Sequence, residues 1–190
     1  GTYALDANTT ANNNTAIGRS ALGANTTGTV NTALGSYAVT ANTTGSGNIG
    51  IGFEALDSNT TGNENTAVGS YAMDDNTTGS GNTAIGREVL ANNTTADENV
   101  GVGKLALYTN TTGAGNVAIG YTALRLNTTA SNNTAVGRQA LYANTTGTRN
   151  SAVGAYALDA ATTAVDGTAM GYQALGANTT GAYNSAFGSY

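Results

Sequence analysis

The chain has 190 residues, a formal net charge of −5 at pH 7 and no Cys, His, Pro or Trp. Without Cys and His, the usual zinc, copper and iron–sulfur sites are excluded, as are nucleophilic mechanisms that use His as the base. Its six Lys and Arg residues form no basic stripe, so nucleic acid is not an expected partner. No apolar run approaches the roughly 20 residues that span a bilayer. We therefore expect no enzyme activity, no metal and no cofactor.

A unit of 17 residues repeats along the whole chain without insertion or deletion. Counted from Asn14 as position 1, the consensus is Asn-Thr-Ala-Ile-Gly-x-x-Ala-Leu-x-x-Asn-Thr-Thr-Gly-x-x. A partial unit covers residues 1–13, ten full units cover 14–183, and a second partial unit covers 184–190. An extra residue in one coil of a solenoid would disturb the coils on both sides. The strict period therefore predicts one continuous array of stacked coils.

Each unit contains the same elements in the same order. Positions 1–5 predict a short strand because Thr and Ile are β-branched, and the Gly at position 5 predicts a positive φ or a close backbone approach at a corner. Positions 6–9, as in Arg138 to Leu141, contain good helix formers and could make one helical turn. The segment Asn-Thr-Thr-Gly at positions 12–15 predicts a turn.

Spacing favours an all-β coil over a coil that contains a helical turn. Neighbouring strands lie about 4.8 Å apart, whereas packed helices need roughly 8–10 Å between axes. We therefore predict an all-β fold, a parallel β-solenoid (β-roll or β-helix) of 17-residue coils. The alternative is a solenoid with one short strand and one helical turn per coil.

Two columns of the repeat carry large apolar residues, and we predict that both form the core ladder. Positions 3 and 8, beside them, are almost always Ala or Gly. The position 4 column is Ile17, Leu34, Ile51, Val68, Ile85, Val102, Ile119, Val136, Val153, Met170 and Phe187. The position 9 column includes Leu5, Leu22, Leu56, Leu90, Leu107, Leu124, Leu141, Leu158 and Leu175.

The triplet Asn-Thr-Thr at position 12 matches the N-glycosylation sequon, which gives candidate sites in nearly every coil. These are Asn8, Asn25, Asn42, Asn59, Asn76, Asn93, Asn110, Asn127, Asn144 and Asn178. The same column could instead be an Asn ladder that carries no glycan. If the segment were a strand, Asn at position 12 and Thr at position 14 would form flat ranks, which is typical of ice-binding surfaces.

Self-association is the expected partnership. Two large apolar side chains per coil contribute little against the roughly 25 kcal/mol that ordering 17 residues costs. Tyr residues at positions 6 and 7 could add burial between chains, because Tyr is favoured at interfaces. They are Tyr3, Tyr37, Tyr71, Tyr121, Tyr156, Tyr172 and Tyr190. Neither end has a polar capping unit, so we expect that the chain is an excerpt of a longer array, or that chains stack end to end in a filament.

Segments such as Asn14–Gly18, Asn65–Gly69 and Asn150–Gly154 resemble the head repeats of trimeric autotransporter adhesins, which are left-handed parallel β-rolls in a homotrimer. The longer pattern from Asn133 to Gly147 is similar to arrays in phage tail-fibre-like and bacterial surface proteins. The resemblance implies a structural shaft or spacer of an extracellular fibre, on a cell or virion surface, and a homotrimer as one form of its self-association. The alternatives are a glycan-coated filament with one N-glycan per coil, and an ice-binding or carbohydrate-binding solenoid.

Overall fold

Eleven strands of three residues each, one per coil, form a single parallel sheet in chain order. The structure is a computed structural model that describes residues 1–190, and it contains no helix. The predicted parallel β-solenoid is therefore confirmed, and the alternative with a helical turn per coil is wrong. The strands are β1 (Thr15–Ile17), β2 (Thr32–Leu34), β3 (Ile49–Ile51), β4 (Thr66–Val68), β5 (Thr83–Ile85), β6 (Val100–Val102), β7 (Val117–Ile119), β8 (Thr134–Val136), β9 (Ser151–Val153), β10 (Thr168–Met170) and β11 (Ser185–Phe187).

Equivalent residues of successive coils lie directly over one another. In the pairing of β4 with β5, Thr66 is opposite Thr83 and Ala67 is opposite Ala84, and every other pair keeps this register. The ladder continues beyond the strands, since only 20 of the 117 backbone hydrogen bonds lie within them. The whole circumference of each coil is thus joined to its neighbours, and at one strand spacing per coil the sheet is roughly 50 Å long.

The Gly at position 5 satisfies both conditions that the sequence predicts for it. Its φ is positive throughout the column, for example +137° at Gly120 and +135° at Gly137. A Cβ on Gly120 would lie 2.5 Å from the carbonyl oxygen of Gly137, one coil above. The corner therefore requires a residue with no side chain for conformational and for steric reasons.

The segment that could have been helical turns sharply instead, through left-handed residues that are not glycine. Gln139 at position 7 has φ +57° and Leu141 at position 9 has φ +51°, and both columns repeat this conformation. Such a conformation costs about 1–2 kcal/mol for an L-residue. The amide of Leu141 donates to the carbonyl of Ala157 in the next coil at 3.0 Å, and its side chain is fully buried. Burial and the ladder together offset the strain.

The core is a narrow column of alanines and leucines. Position 9 is fully buried in Leu22, Leu56, Leu90, Leu107, Leu124, Leu141 and Leu158, as predicted. Leu5 and Leu175, in the first and last such coils, pack against the same cluster but are only partly buried. Alanines at positions 3 and 8 fill the remaining space, and this explains why those positions are restricted to small residues.

The prediction that position 4 belongs to the core is wrong. Its side chains lie on the outer face of the sheet, so that Ile85 is 42% exposed while the preceding Ala84 is 0% exposed. Side chains alternate along a strand, and the interior has room only for the Ala or Gly at position 3. Positions 2 and 4 must therefore point outward. The residues concerned are Ile17, Leu34, Ile51, Val68, Ile85, Val102, Ile119, Val136, Val153, Met170 and Phe187.

Candidate self-association surface

The outer side of the sheet is a continuous surface that we call the apolar sheet face, formed by positions 2 and 4 of all eleven strands. Position 4 is always a large apolar residue, and position 2 is Thr, Ser, Ile or Val. None of these 22 positions carries a charged residue. Leu34, Ile119 and Met170 remain 45%, 40% and 46% exposed, so the chain itself covers the face only in part.

The apolar sheet face is large enough to form the centre of a contact with another protein. Three residues span about 10 Å along a strand, so the length of roughly 50 Å gives an area of roughly 500 Å². A typical specific interface buries about 800 Å² on each partner, so residues at the edges of the face would complete such a contact. Monomeric proteins rarely expose contiguous apolar patches larger than a few hundred Å², and such patches mark interaction sites.

The Asn column at position 12 lies inside the coil. The Nδ2 of Asn42 donates to Oδ1 of Asn25 in the coil below at 2.8 Å, and to the carbonyl of Gly45 in its own coil at 2.9 Å. The same pattern recurs up the stack, as for Asn76 with Asn59 and Gly79. With the exception of Oδ1 of Asn144, the buried amides of this column therefore have their partners within the fold, as a buried polar group requires.

A second Asn ladder runs through position 1, and sequence reasoning missed it. The Nδ2 of Asn31 donates to the carbonyl of Gly45 at 2.9 Å, the same oxygen that accepts from Asn42. Its Oδ1 accepts from the backbone amide of Asn48 in the next coil at 2.9 Å. The position 15 carbonyl thus accepts hydrogen bonds from both Asn ladders and connects them in the interior of the coil. The signal was present in the near-uniform Asn at position 1, which was interpreted as the start of a strand.

The buried ladder is incompatible with the proposed glycan on every coil. A glycan would be attached to Nδ2, and that atom is enclosed and hydrogen-bonded at eight of the ten sequons. Modification of the folded chain is therefore excluded at Asn25, Asn42, Asn59, Asn76, Asn93, Asn110, Asn127 and Asn144, all of which are fully buried. Asn8 and Asn178 are half-buried, and glycosylation there stays a prediction.

The predicted ranks of Asn and Thr for ice binding do not form. Asn42 points inward, whereas Thr44 at position 14 is exposed, because this segment bends instead of continuing as a strand. The hydroxyl of Thr43 at position 13 donates to the carbonyl of Thr60 at 3.1 Å and extends the ladder. The two residue types that were expected to share a surface therefore lie on opposite sides of the backbone.

Each Asn ladder is interrupted once, where Ala161 replaces Asn at position 12 and Gly167 replaces Asn at position 1 of the following unit. The Oδ1 of Asn144 below Ala161 is consequently buried without a hydrogen-bond partner. We expect Ala161→Asn to restore the missing donor and to stabilise the chain by about 1–2 kcal/mol. Thermal unfolding followed by circular dichroism should show Tm higher by about 2–6 °C. An unchanged or lower Tm would contradict the role assigned to the ladder.

An acidic cluster on one side of the coil predicts a pH-dependent stability. Burial, followed by the negative charges of Asp75, Asp57 and Glu54, raises the pKa of Asp74 from 3.8 to about 6. The folded state thus holds the Asp74 proton more tightly than the unfolded chain does. Proton binding at Asp74 therefore stabilises the fold fully below about pH 4, and this stabilisation is lost as the pH rises through 6. Since Asp74 is half exposed, we expect a loss of about 1 kcal/mol between pH 4 and 7.5. Urea unfolding at the two pH values measures it, and Asp74→Asn should remove this part of the pH dependence.

Aromatic residues at positions 6 and 7 stack along the axis within the chain. Phe53 lies between Tyr37 and Tyr71, with ring centroids 6.3 and 5.4 Å away, and Tyr156 packs edge to face on Tyr172 at 5.9 Å. Intrachain stacking thus accounts for part of the Tyr column that was predicted to lie between chains.

The rest of the surface has two open pockets and no cluster of metal-ligating side chains. No group of three or more acidic, His or Cys side chains is placed to hold a metal ion. One open pocket of about 550 Å³ lies beside Leu175 and Tyr190, and a second of about 290 Å³ lies between Tyr71 and Tyr108. The chain also has no helix of sufficient length and apolarity to cross a membrane.

The fold and this surface together define the chain as a parallel β-solenoid repeat protein with one uncovered apolar sheet face. No protein-family model matches the sequence, and no curated protein or solved structure is significantly similar to it.

Proposed function

We propose that the chain is a non-catalytic structural shaft or spacer of an extracellular fibre that assembles with copies of itself through the apolar sheet face. The observation that carries this proposal is the face itself: eleven strands present large apolar side chains to solvent, with no charged residue among them. A second copy is the occupant that best fits, because its own face has the same length, the same coil spacing and the same apolar character.

A shaft of this construction would be stiff and resistant to proteases. The backbone is hydrogen-bonded around the coil, and both buried Asn ladders tie each coil to the next. Proteases need a locally unfolded segment, which such a stack rarely exposes. The resemblance to adhesin head repeats and tail-fibre-like arrays supports a location on a cell or virion surface.

Placing charges on the apolar sheet face tests the proposal. We expect the original chain to form a discrete oligomer at micromolar concentration, measured by sedimentation velocity. The double variant Ile85→Lys, Ile119→Lys should be monomeric at that concentration, because a Lys cannot be buried in an apolar contact without a partner. Its circular dichroism should be unchanged, since both side chains point away from the core.

The matched control places the same charges on a different side of the solenoid, each seven residues before one of the substituted Ile residues. Thr78 and Thr112 at position 14 are exposed. The variant Thr78→Lys, Thr112→Lys should assemble as the original chain does. An original chain that stays monomeric up to about 100 µM, or a control that dissociates as fully as the sheet-face variant, would overturn the proposal.

A further inference from the structure

We infer that two copies meet through the apolar sheet face in parallel orientation and in register, with Glu98 of one copy facing Arg87 and Lys104 of the next. The inference rests on the proposed function and specifies how the copies are arranged. It derives from the charges on the two edges of the face, which have opposite sign.

The edge that follows each strand is basic. Position 6, directly after the corner Gly, carries four basic residues and no acidic one, and we call this column the basic edge. It contains Arg19, Arg87, Lys104 and Arg138. Glu54 and Glu88 follow at position 7, so positions 6 and 7 together still carry a net positive charge. Arg87 and Lys104 are both exposed.

The edge that precedes each strand is acidic. Positions 16 and 17 carry four acidic residues and one basic residue, and we call them the acidic edge. The acidic residues are Glu64, Asp97, Glu98 and Asp166. The single basic residue, Arg149, donates from Nε and Nη2 to the two carboxylate oxygens of Asp166 at 2.7 and 2.8 Å. This pair neutralises both charges, so the negative charge of the acidic edge comes from Glu64, Asp97 and Glu98.

The opposite signs of the edges select the orientation. When copies are related by rotation about an axis parallel to the fibre, the basic edge of each lies against the acidic edge of the next. When two copies are antiparallel, like edges meet. Arg87 and Lys104 lie symmetrically about the middle of the chain, so an antiparallel pair with its coils fully overlapped would place Arg87 opposite Lys104 and Glu98 close to Glu98. Juxtaposed like charges suppress such an arrangement.

Closed symmetry then sets the register. A ring of identical copies closes only without an axial shift, which places equivalent coils side by side. Position 17 of a coil lies between its own position 6 and position 6 of the next coil. Glu98 of one copy is therefore level with the gap between Arg87 and Lys104 of the next. Within its own chain Arg87 binds Glu88 at 2.7 Å, an exposed pair that can exchange partners at little cost.

Spin labels test orientation and register directly, and the absence of Cys makes each introduced cysteine unique. Ser36→Cys and Ser70→Cys both lie at position 6, two coils apart. Parallel, in-register copies predict equal label-to-label distances at the two sites, and a longer distance in mixtures that pair Ser36 with Ser70. Antiparallel copies predict axial separations of roughly 34 and 14 Å, which would overturn the inference and leave the proposed self-association intact. A monomeric chain would overturn both.

Charge reversal tests the named residues. We expect Glu98→Lys to raise the concentration at which half the chains are assembled by about tenfold, because the introduced ammonium group would face two cations. The triple variant Glu98→Lys, Arg87→Glu, Lys104→Glu should restore assembly to within about threefold, since the signs are again complementary. Asp75→Lys makes the same charge change at an exposed site away from the face and should have no effect. Failure of the triple variant to recover, with circular dichroism unchanged, would overturn the assignment.

Discussion

Gly120→Ala is expected to destabilise the chain by about 3–5 kcal/mol. The residue has φ +137°, a conformation that L side chains rarely adopt, and the added Cβ would lie 2.5 Å from the carbonyl oxygen of Gly137. Strain of this kind costs about 1–3 kcal/mol, and the clash adds to it because neither coil can move without breaking the ladder. Urea unfolding monitored by circular dichroism measures the loss.

A substitution at Gly188, the last Gly of the same column, distinguishes the conformational strain from the steric clash. Gly188 has φ +127°, but a Cβ added there meets nothing within 4 Å. Gly188→Ala therefore carries the conformational strain without the clash and should cost at most about 1–3 kcal/mol. Equal effects of the two substitutions would mean that the close approach between coils contributes nothing.

Asn76→Ala should cost about 2–5 kcal/mol, the second largest effect that we expect. The side chain donates to Oδ1 of Asn59 and to the carbonyl of Gly79, and it accepts from Asn93 at 2.8 Å. Removing it deprives three buried groups of a hydrogen bond, and each unsatisfied group costs about 1–3 kcal/mol. The carbonyl of Gly79 keeps its bond from Asn65, which places the total below the sum of three such losses.

The neighbouring Thr78 provides the control for this substitution. It is exposed at position 14, and its hydroxyl makes no hydrogen bond within the chain. Thr78→Ala should leave the urea midpoint unchanged within about 0.5 kcal/mol. A loss at Asn76 no larger than at Thr78 would show that the interior Asn ladder does not hold the coils together.

The stacking of coils was predictable because the repeat has no insertions. Equivalent residues 17 apart could meet only if the coils lie over one another, and β4 and β5 pair in that register. The left-handed φ at Leu141 was not predictable from local preferences, because Leu disfavours it strongly. It is imposed by the need to bury the side chain and pair the amide within one tight turn.

The functional surface was misplaced for a physical reason. Large apolar residues such as Ile85 were assigned to the core on hydrophobicity alone, although strand alternation allows only one of positions 3 and 4 to point inward. The restriction of position 3 to Ala and Gly was the available signal, because a thin coil admits only small residues there. In the same way, the sequon predicts Asn42 as a glycan acceptor, although a column with Asn in nearly every coil is also what a buried Asn ladder requires.

The sheet face and the proposed fibre both depend on coils that stack one strand spacing apart, and pairs of spin labels measure this spacing directly. Thr27 and Thr95 lie four coils apart at position 14, and Thr27 and Thr163 lie eight coils apart at the same position. Stacked coils predict label distances of about 19 Å for the first pair and about 38 Å for the second, measured in a chain diluted with unlabelled copies. Distances that do not double with the number of coils would contradict the stack, and with it the sheet face and the proposed fibre.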